Sequence, residues 1–380
     1  MAQGLGKNST ITLSLGKESY EAMIERHGQY VRWKQAKKCP CVTDNNQPDI
    51  HCKKCGGSGE FYDYQTTITG TIRLSVMDGI IELREAEKEY TIEKIYNYAG
   101  VSFRFKQEGG FIQISDHEHV LSQGEQVDLV FRASLVSTLK QATLTRICNG
   151  FYELKDLTAA SSKIQGVHYS APCDIIGIQT LSTYTGEALA VKQYYKNCLE
   201  LATPCDAPLI FAQEISYIKP VKFIILSQNL SKELLYLVQK HNGDAVCTFP
   251  YMYDVAEGDI ITVLSGAVTN KMVIKRSGQD CDDHIPDFFV ESICNIETAR
   301  EKFIAGEDFI LAGTNRIHWG GKKKPTAGEN MSVTFRYHPT YRVAQAIAGL
   351  RTSEDQRIPR KVVLKLFSSY QEKRGVHFNL

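Results

Sequence analysis

The chain has 380 residues, with 44 Lys and Arg against 43 Asp and Glu for a formal net charge of +1, and 43% of its residues are hydrophobic. That length suffices for two or three domains, each with its own core, while the balanced charge excludes a global attraction to nucleic acid or to a membrane surface. No apolar run approaches the roughly 18 to 20 residues that span a bilayer, and the N-terminal stretch lacks the apolar core of a signal peptide, so synthesis in a cytosol-like compartment is expected.

Residues 17–36 begin as an amphipathic helix, with Tyr20, Met23 and Ile24 at helical spacing, and turn at His27-Gly28. From Gln29 to Trp33 the pattern alternates like a strand and leads into Cys39-Pro-Cys41 and Cys52-Lys-Lys-Cys55-Gly-Gly-Ser-Gly. Segments at 64–74, 79–83, 101–105 and 126–132 are rich in β-branched and aromatic residues between Gly, Asn and Asp, which predicts antiparallel sheet. In the middle region, helices are expected from Gly186 to Cys198 and from Ser231 to Gly243, the second with a Ser N-cap and a closing Asn-Gly. A late strand is expected from Arg360.

Two distant segments read alike. Gly110 to Ile114 followed by Gly124-Glu125 and a strand ending Phe131-Arg132 parallels Asn315 to Trp319 followed by Gly328-Glu329 and a strand ending Phe335-Arg336. This predicts two copies of a hairpin-based β-domain, the Phe of each facing inward. The expected fold class is mainly β with some α, a multi-domain α+β protein. Its expected parts are an N-terminal helix and four-cysteine zinc module (1–62), a β-domain (63–140), an α+β middle domain (141–256), a β-domain resembling the first (257–345) and a basic C-terminal extension (346–380).

Eleven cysteines are many for a reducing compartment, where clustered thiols bind metal or do redox chemistry. Cys148, Cys173, Cys198, Cys205, Cys247, Cys281 and Cys294 are scattered, as small buried apolar residues are. Intersubunit disulfides formed in an oxidising exterior are the other reading for them. Cys39, Cys41, Cys52 and Cys55 are instead grouped as a four-thiolate site for structural zinc, since two Cys pairs on two turns supply four soft ligands without a large core. The Cys39/Cys41 pair is tighter than the usual knuckle, which leaves His51 as an alternative ligand. The glycines after Cys55 free backbone N–H groups for the thiolates, and Lys53 and Lys54 offset their charge.

The stretch from His27-Gly28 through Trp33 into these cysteines resembles the N-terminal cysteine motif of structural proteins of tailed bacteriophages. A second patch, Gly306 to Gly313, Arg316 to Trp319 and Val333 to Val343, is similar to the same kind of protein. The resemblance implies a non-enzymatic component of the virion, made in the host cytoplasm, that forms homo-oligomers in the neck or tail and contacts other virion proteins. The alternative is a nucleic-acid-binding zinc-ribbon protein using Lys37, Lys38, Lys53 and Lys54.

Other clusters have bland readings. Asp116-His117-Glu118-His119 reads as a solvated turn, Cys281-Asp-Asp-His284 as a loop with ligand-like spacing, and Lys322-Lys323-Lys324 as a basic hairpin tip; Arg357 to Lys361 is a similar basic stretch. The chain carries no Walker A loop, no G-x-G-x-x-G after a strand, no G-x-S-x-G and no H-E-x-x-H, and no enzymatic activity is expected.

Overall fold

The computed structural model describes residues 23–367 apart from 25, 44, 46, 84–87, 116–120, 149, 156–161, 165–166, 170–172, 227–244, 279–281, 287, 322 and 348–359. The chain forms two compact units, one of Met1–Tyr64, Thr138–Pro250 and Val255–Leu380, the other of Gln65–Ser137 and Tyr251–Asp254. It enters the first unit with β1 (Gln29–Lys38) and β2 (Glu60–Asp63). The second unit is built from β3 (Thr67–Ser75), β4 (Ile80–Glu82), β5 (Thr91–Asn97), β6 (Phe105–Glu108), β7 (Phe111–Ile114) and β8 (Gln126–Ser134). There follow β9 (Val136–Cys148), β10 (Phe151–Glu153), β11 (Ser162–Ile164), β12 (Val167–Tyr169), β13 (Asp174–Thr183), β14 (Val191–Tyr195), β15 (Cys198–Leu201) and β16 (Leu209–Ile218). Next come β17 (Val221–Leu226), β18 (Ala245–Phe249) and β19 (Ile260–Val263). After them run β20 (Val268–Lys275), β21 (Asp283–His284), β22 (Phe289–Glu297), β23 (Lys302–Phe303), β24 (Phe309–Ala312), β25 (Arg316–Trp319) and β26 (Asn330–His338). The last strands are β27 (Thr340–Ile347) and β28 (Arg360–Leu366).

In the first unit β1 pairs antiparallel with β17 through Gln29 to Val31 and with β19 through Val31 to Lys34. With the order β17-β18-β28-β27-β19-β1 this closes a six-stranded barrel, which removes free sheet edges. The strand period of two puts Val31 and Trp33 in its core with Phe223, Phe249 and Ile261. Tyr30, Arg32 and Lys34 lie on the opposite face of the strand. A second barrel-like sheet has the order β13-β16-β9-β10-β15-β14. Its two edges meet where Leu189 N–H donates to Leu181 O at 2.8 Å and Ile178 N–H to the Tyr194 hydroxyl at 3.2 Å. A third body packs the sheet β20-β26-β22-β23 against β21-β25-β24 around Val290, Ile317, Val333 and Phe335.

The second unit packs β3-β8-β5 against β4-β7-β6 around Ile81, Ile95, Ile112 and Phe131. Its pairings β3–β8, β5–β8, β4–β7 and β6–β7 match β20–β26, β22–β26, β21–β25 and β24–β25 of the third body. The likeness reaches single hydrogen bonds. Val76 N–H donates to Glu125 O at 2.8 Å and Arg276 N–H to Glu329 O at 2.9 Å, while Gly124 and Gly328 return bonds to Val76 O and Arg276 O, both at 2.9 Å. Both glycines sit at positive φ, +82° and +83°, as this turn into the strand demands. Phe131 and Phe335 are both fully buried.

The α+β class expected from the sequence is incorrect. The structure is nearly all β, and among the described residues no helix forms an element; Met23, Ile24, Arg26 and His27 are helical just ahead of β1, and the rest of the expected N-terminal helix lies outside the described residues. The expected helix from Gly186 to Cys198 is a turn followed by β14 and the start of β15, so the described part of the middle region is β. Val191, Tyr194 and Tyr195 are β-branched or aromatic and fit a pleated surface, which overrides the helical spacing. The expected helix from Ser231 to Gly243 lies outside the described residues. The late strand β28 pairs with β18 and β27 and so completes the first barrel.

Candidate metal centre

The four cysteines occupy the loop that joins β1 to β2. Beyond Lys34, β1 leaves β19 and pairs with β2, from Gln35↔Asp63 to Lys38↔Glu60. Cys39 N–H then donates to Gly59 O at 2.8 Å, so residues 39–59 form a closed excursion at the end of the hairpin. Inside it Val42 N–H donates to Cys39 O at 3.0 Å and Gly56 N–H to Cys52 O at 2.8 Å, the two turns that present the thiols. Ser58 Oγ donates to Cys55 O at 2.7 Å. Gly57 has φ +85°, and a Cβ there would stand 3.0 Å from Ile50 O, so this position takes no side chain.

The Sγ atoms of Cys39 and Cys52 lie 3.7 Å apart and those of Cys41 and Cys55 3.5 Å apart. All four lie within 4.8 Å of one another. Each short pair takes one thiol from each turn. A tetrahedron of thiolates about 2.3 Å from a central ion has sulfur edges of about 3.8 Å, so the constellation is compatible with a metal site. Cys39 and Cys55 are buried, Cys41 and Cys52 half-buried. Burial works against the Cys55 thiolate, but the Gly59 and Gly57 N–H groups and the Cys41 and Cys52 thiols outweigh it and bring its pKa down to about 6. Burial and the neighbouring thiols push Cys41 up to about 12.

His51 is not among the converging ligands; it is exposed, with its backbone N–H on Asp49 Oδ1 at 2.9 Å. Lys37 pairs with Asp63 at 2.9 Å, and the Lys54 ammonium lies 3.8 Å from the Phe61 ring centroid. Lys38 and Lys53 are exposed. The loop is fastened to the first barrel by residues that local sequence patterns did not mark. Asp259, 1% exposed, accepts from Trp33 Nε1 at 2.8 Å and from Ala36 N–H at 2.9 Å. Arg342 of β27 donates to Glu60 Oε2 at 2.9 Å and to the Tyr62 hydroxyl at 3.1 Å. The only local signal was an acid after Gly258 and an arginine in a strand.

Elsewhere, Asp116 to His119, Cys281 and Lys322 lie outside the described residues. Asp282 holds His318 Nδ1 at 2.8 Å, Asp283 is paired with Arg276 at 2.9 Å, and His284 is exposed, so these three do not converge as ligands. Lys323 and Lys324 are exposed. Among the described residues no helix is long and apolar enough to cross a membrane. No protein-family model matches this sequence, and no curated protein matches it; the four thiols at the end of the β1–β2 hairpin stand as a candidate metal centre on their geometry.

Proposed function

We propose that this chain is a structural component of a tailed-phage virion, in the neck or tail, that oligomerises and contacts neighbouring virion proteins, with zinc held by Cys39, Cys41, Cys52 and Cys55. The observation that carries the reading is the closed thiol set at the end of a hairpin whose first strand is also a stave of the first barrel. Four protein ligands fill a tetrahedron and leave no position for substrate, which is the pattern of a structural and not a catalytic site. A metal there ties a loop without a hydrophobic core of its own to a scaffold of successive β-bodies. The resemblance of the cysteine segment to phage structural proteins supplies the particle. A nucleic-acid role is less well supported, because Lys37 and Lys54 are engaged by Asp63 and Phe61.

Purified protein should contain one zinc per chain by elemental analysis and run in light scattering as an oligomer whose mass does not change with salt. A monomer at every concentration overturns the assembly role. Steeply salt-dependent binding to nucleic acid, lost on replacing Lys37, Lys38, Lys53 and Lys54, would favour the other reading.

A further inference from the structure

The first barrel, the second barrel and the third body, all within the first unit, meet at a polar seam. Arg32, 9% exposed, stands on the outer face of β1 and reaches Asp174 of β13 at 3.3 Å and the Tyr64 hydroxyl at 2.8 Å. Its guanidinium carbon lies 4.7 Å from the ring centroid of Phe289 in β22. The Lys196 ammonium, from the turn between β14 and β15, lies 4.3 Å from the same centroid and donates to Val290 O at 3.2 Å. Lys34, two residues along β1 from Arg32, places its ammonium 5.2 Å from the Tyr64 ring centroid. His338, 5% exposed, packs on Phe289 from β26 with its Nδ1 2.9 Å from Gly266 O.

The charges do not balance. Three cations face the seam, and Asp174, 7% exposed, is the buried carboxylate among them. The other acids nearby are engaged elsewhere, Asp63 by Lys37 at 2.9 Å and Glu291 by Arg336 at 3.2 Å, and the Cys198 thiol adjoins Lys196 from β15. Lys34 and Lys196 are half-buried, whereas Arg32, Asp174 and His338 are buried; surplus charge in such a partly dehydrated junction is relieved by losing a proton or by admitting water.

We infer that this seam is a proton-gated joint: with Lys34 and Lys196 neutral the three bodies close on one another, and with both charged the junction favours an opened, hydrated arrangement. Arg32 stays charged and keeps Asp174 as its partner in both states. Burial, with Arg32 close by, brings Lys34 down to about 7 and Lys196 to about 8, against an ordinary value of 10.5. Burial and Lys196 lower His338 in the same way. Because the closed state binds these protons more weakly than the opened one, closure is fully penalised below the lowered values. It is favoured progressively as pH rises through them toward the ordinary lysine range. The inference needs neither the metal nor a place in a virion.

Hydrogen exchange of the full chain at pH 6 and pH 9, corrected for intrinsic rates, tests it. Opening of segments 29–34, 174–178 and 289–290 should be on the order of tenfold or more greater at pH 6, since each pH unit between closed and open pKa values is worth about tenfold. Strands β3 and β8 of the second unit should not change. In a Lys34→Met, Lys196→Met variant the pH ratio should fall to the roughly few-fold remainder that His338 leaves at pH 6. Equal rates at both pH values, an equal change in both units, or an undiminished ratio in the variant would overturn the joint. Should the variant not fold, carbon-13 NMR of lysine side chains in the wild-type protein decides. Two lysines should titrate well below the rest, and titration of every lysine in the ordinary range would overturn the proposal.

Discussion

Asp259 shows how much a single buried group holds in this molecule. Besides Trp33 Nε1 and Ala36 N–H it accepts from Ala256 N–H at 3.0 Å, so one carboxylate fixes the point where β1 passes from barrel to hairpin. Asp259→Ala leaves those donors without this acceptor in a buried place, which should cost about 3 kcal/mol or more in urea unfolding. Asp259→Asn, which keeps an acceptor oxygen, should cost less. The repeat supplies a second residue-scale experiment. Arg276 and Asp283, each 1% exposed and paired at 2.9 Å, occupy the places of Val76 and Ile81 in the second unit. Trp319 Nε1 also donates to Asp283 at 2.7 Å, so Asp283 anchors more than one partner. Arg276→Val alone should destabilise by about 3 to 5 kcal/mol, because it removes the buried carboxylate's counter-charge, whereas Arg276→Val with Asp283→Ile should recover only part of that loss, since Trp319 Nε1 and Ser277 N–H then lose their acceptor. Urea midpoints of the two variants measure the difference, and equal midpoints would show that the pair can be dismantled one side at a time.

At the scale of the element, β1 does two jobs along its length. Gln29–Val31 pair with β17 and Val31–Lys34 with β19, whereas its last four residues pair only with β2, which is held by the cysteine loop and by Arg342. If the proposed zinc is bound there, a chelator should raise amide exchange across residues 35–63 and leave Gln29–Lys34 protected, because the barrel fixes that half independently. Loss of protection through Val31 would mean that the barrel itself needs the metal. Unchanged exchange in 39–59 would rule out a structural role for the ion. The same strand shows what the sequence could and could not convey. The thiol cluster was legible because all four cysteines fall on one short stretch and thiols grouped in this way are what a metal site would need. The alternation of Val31 and Trp33 with Arg32 and Lys34 marked a strand, but nothing local names its partners, which lie at 221–223 and 260–263. The segment around Val191 misled because short apolar runs fit helical spacing and strands alike, and only sheet neighbours decide between them.

At the scale of the molecule, the first barrel is assembled from segments spread between Gln29 and Leu366, with the other bodies inserted between its staves. Such pairing over long separations makes folding slow, since loop closure precedes any gain from the last strand β28. It also makes one insertion removable. In the second unit β3 and β8 pair from Thr67↔Ser134 to Ser75↔Gln126, and Leu135 N–H donates to Thr66 O at 2.8 Å. The two chain ends that lead into that unit are therefore neighbours. Replacing Thr67–Ser134 by a short glycine linker should leave the first unit folded, because the core around Ile81, Ile112 and Phe131 takes little from outside the excised segment beyond Leu135, Met252 and Tyr253. Circular dichroism and the metal content of the shortened chain measure this: a β spectrum and an unchanged thiol site are expected. An unfolded product would mean that the first barrel depends on the inserted unit to close, which the hydrogen-bonded ring of β1, β17, β18, β28, β27 and β19 argues against.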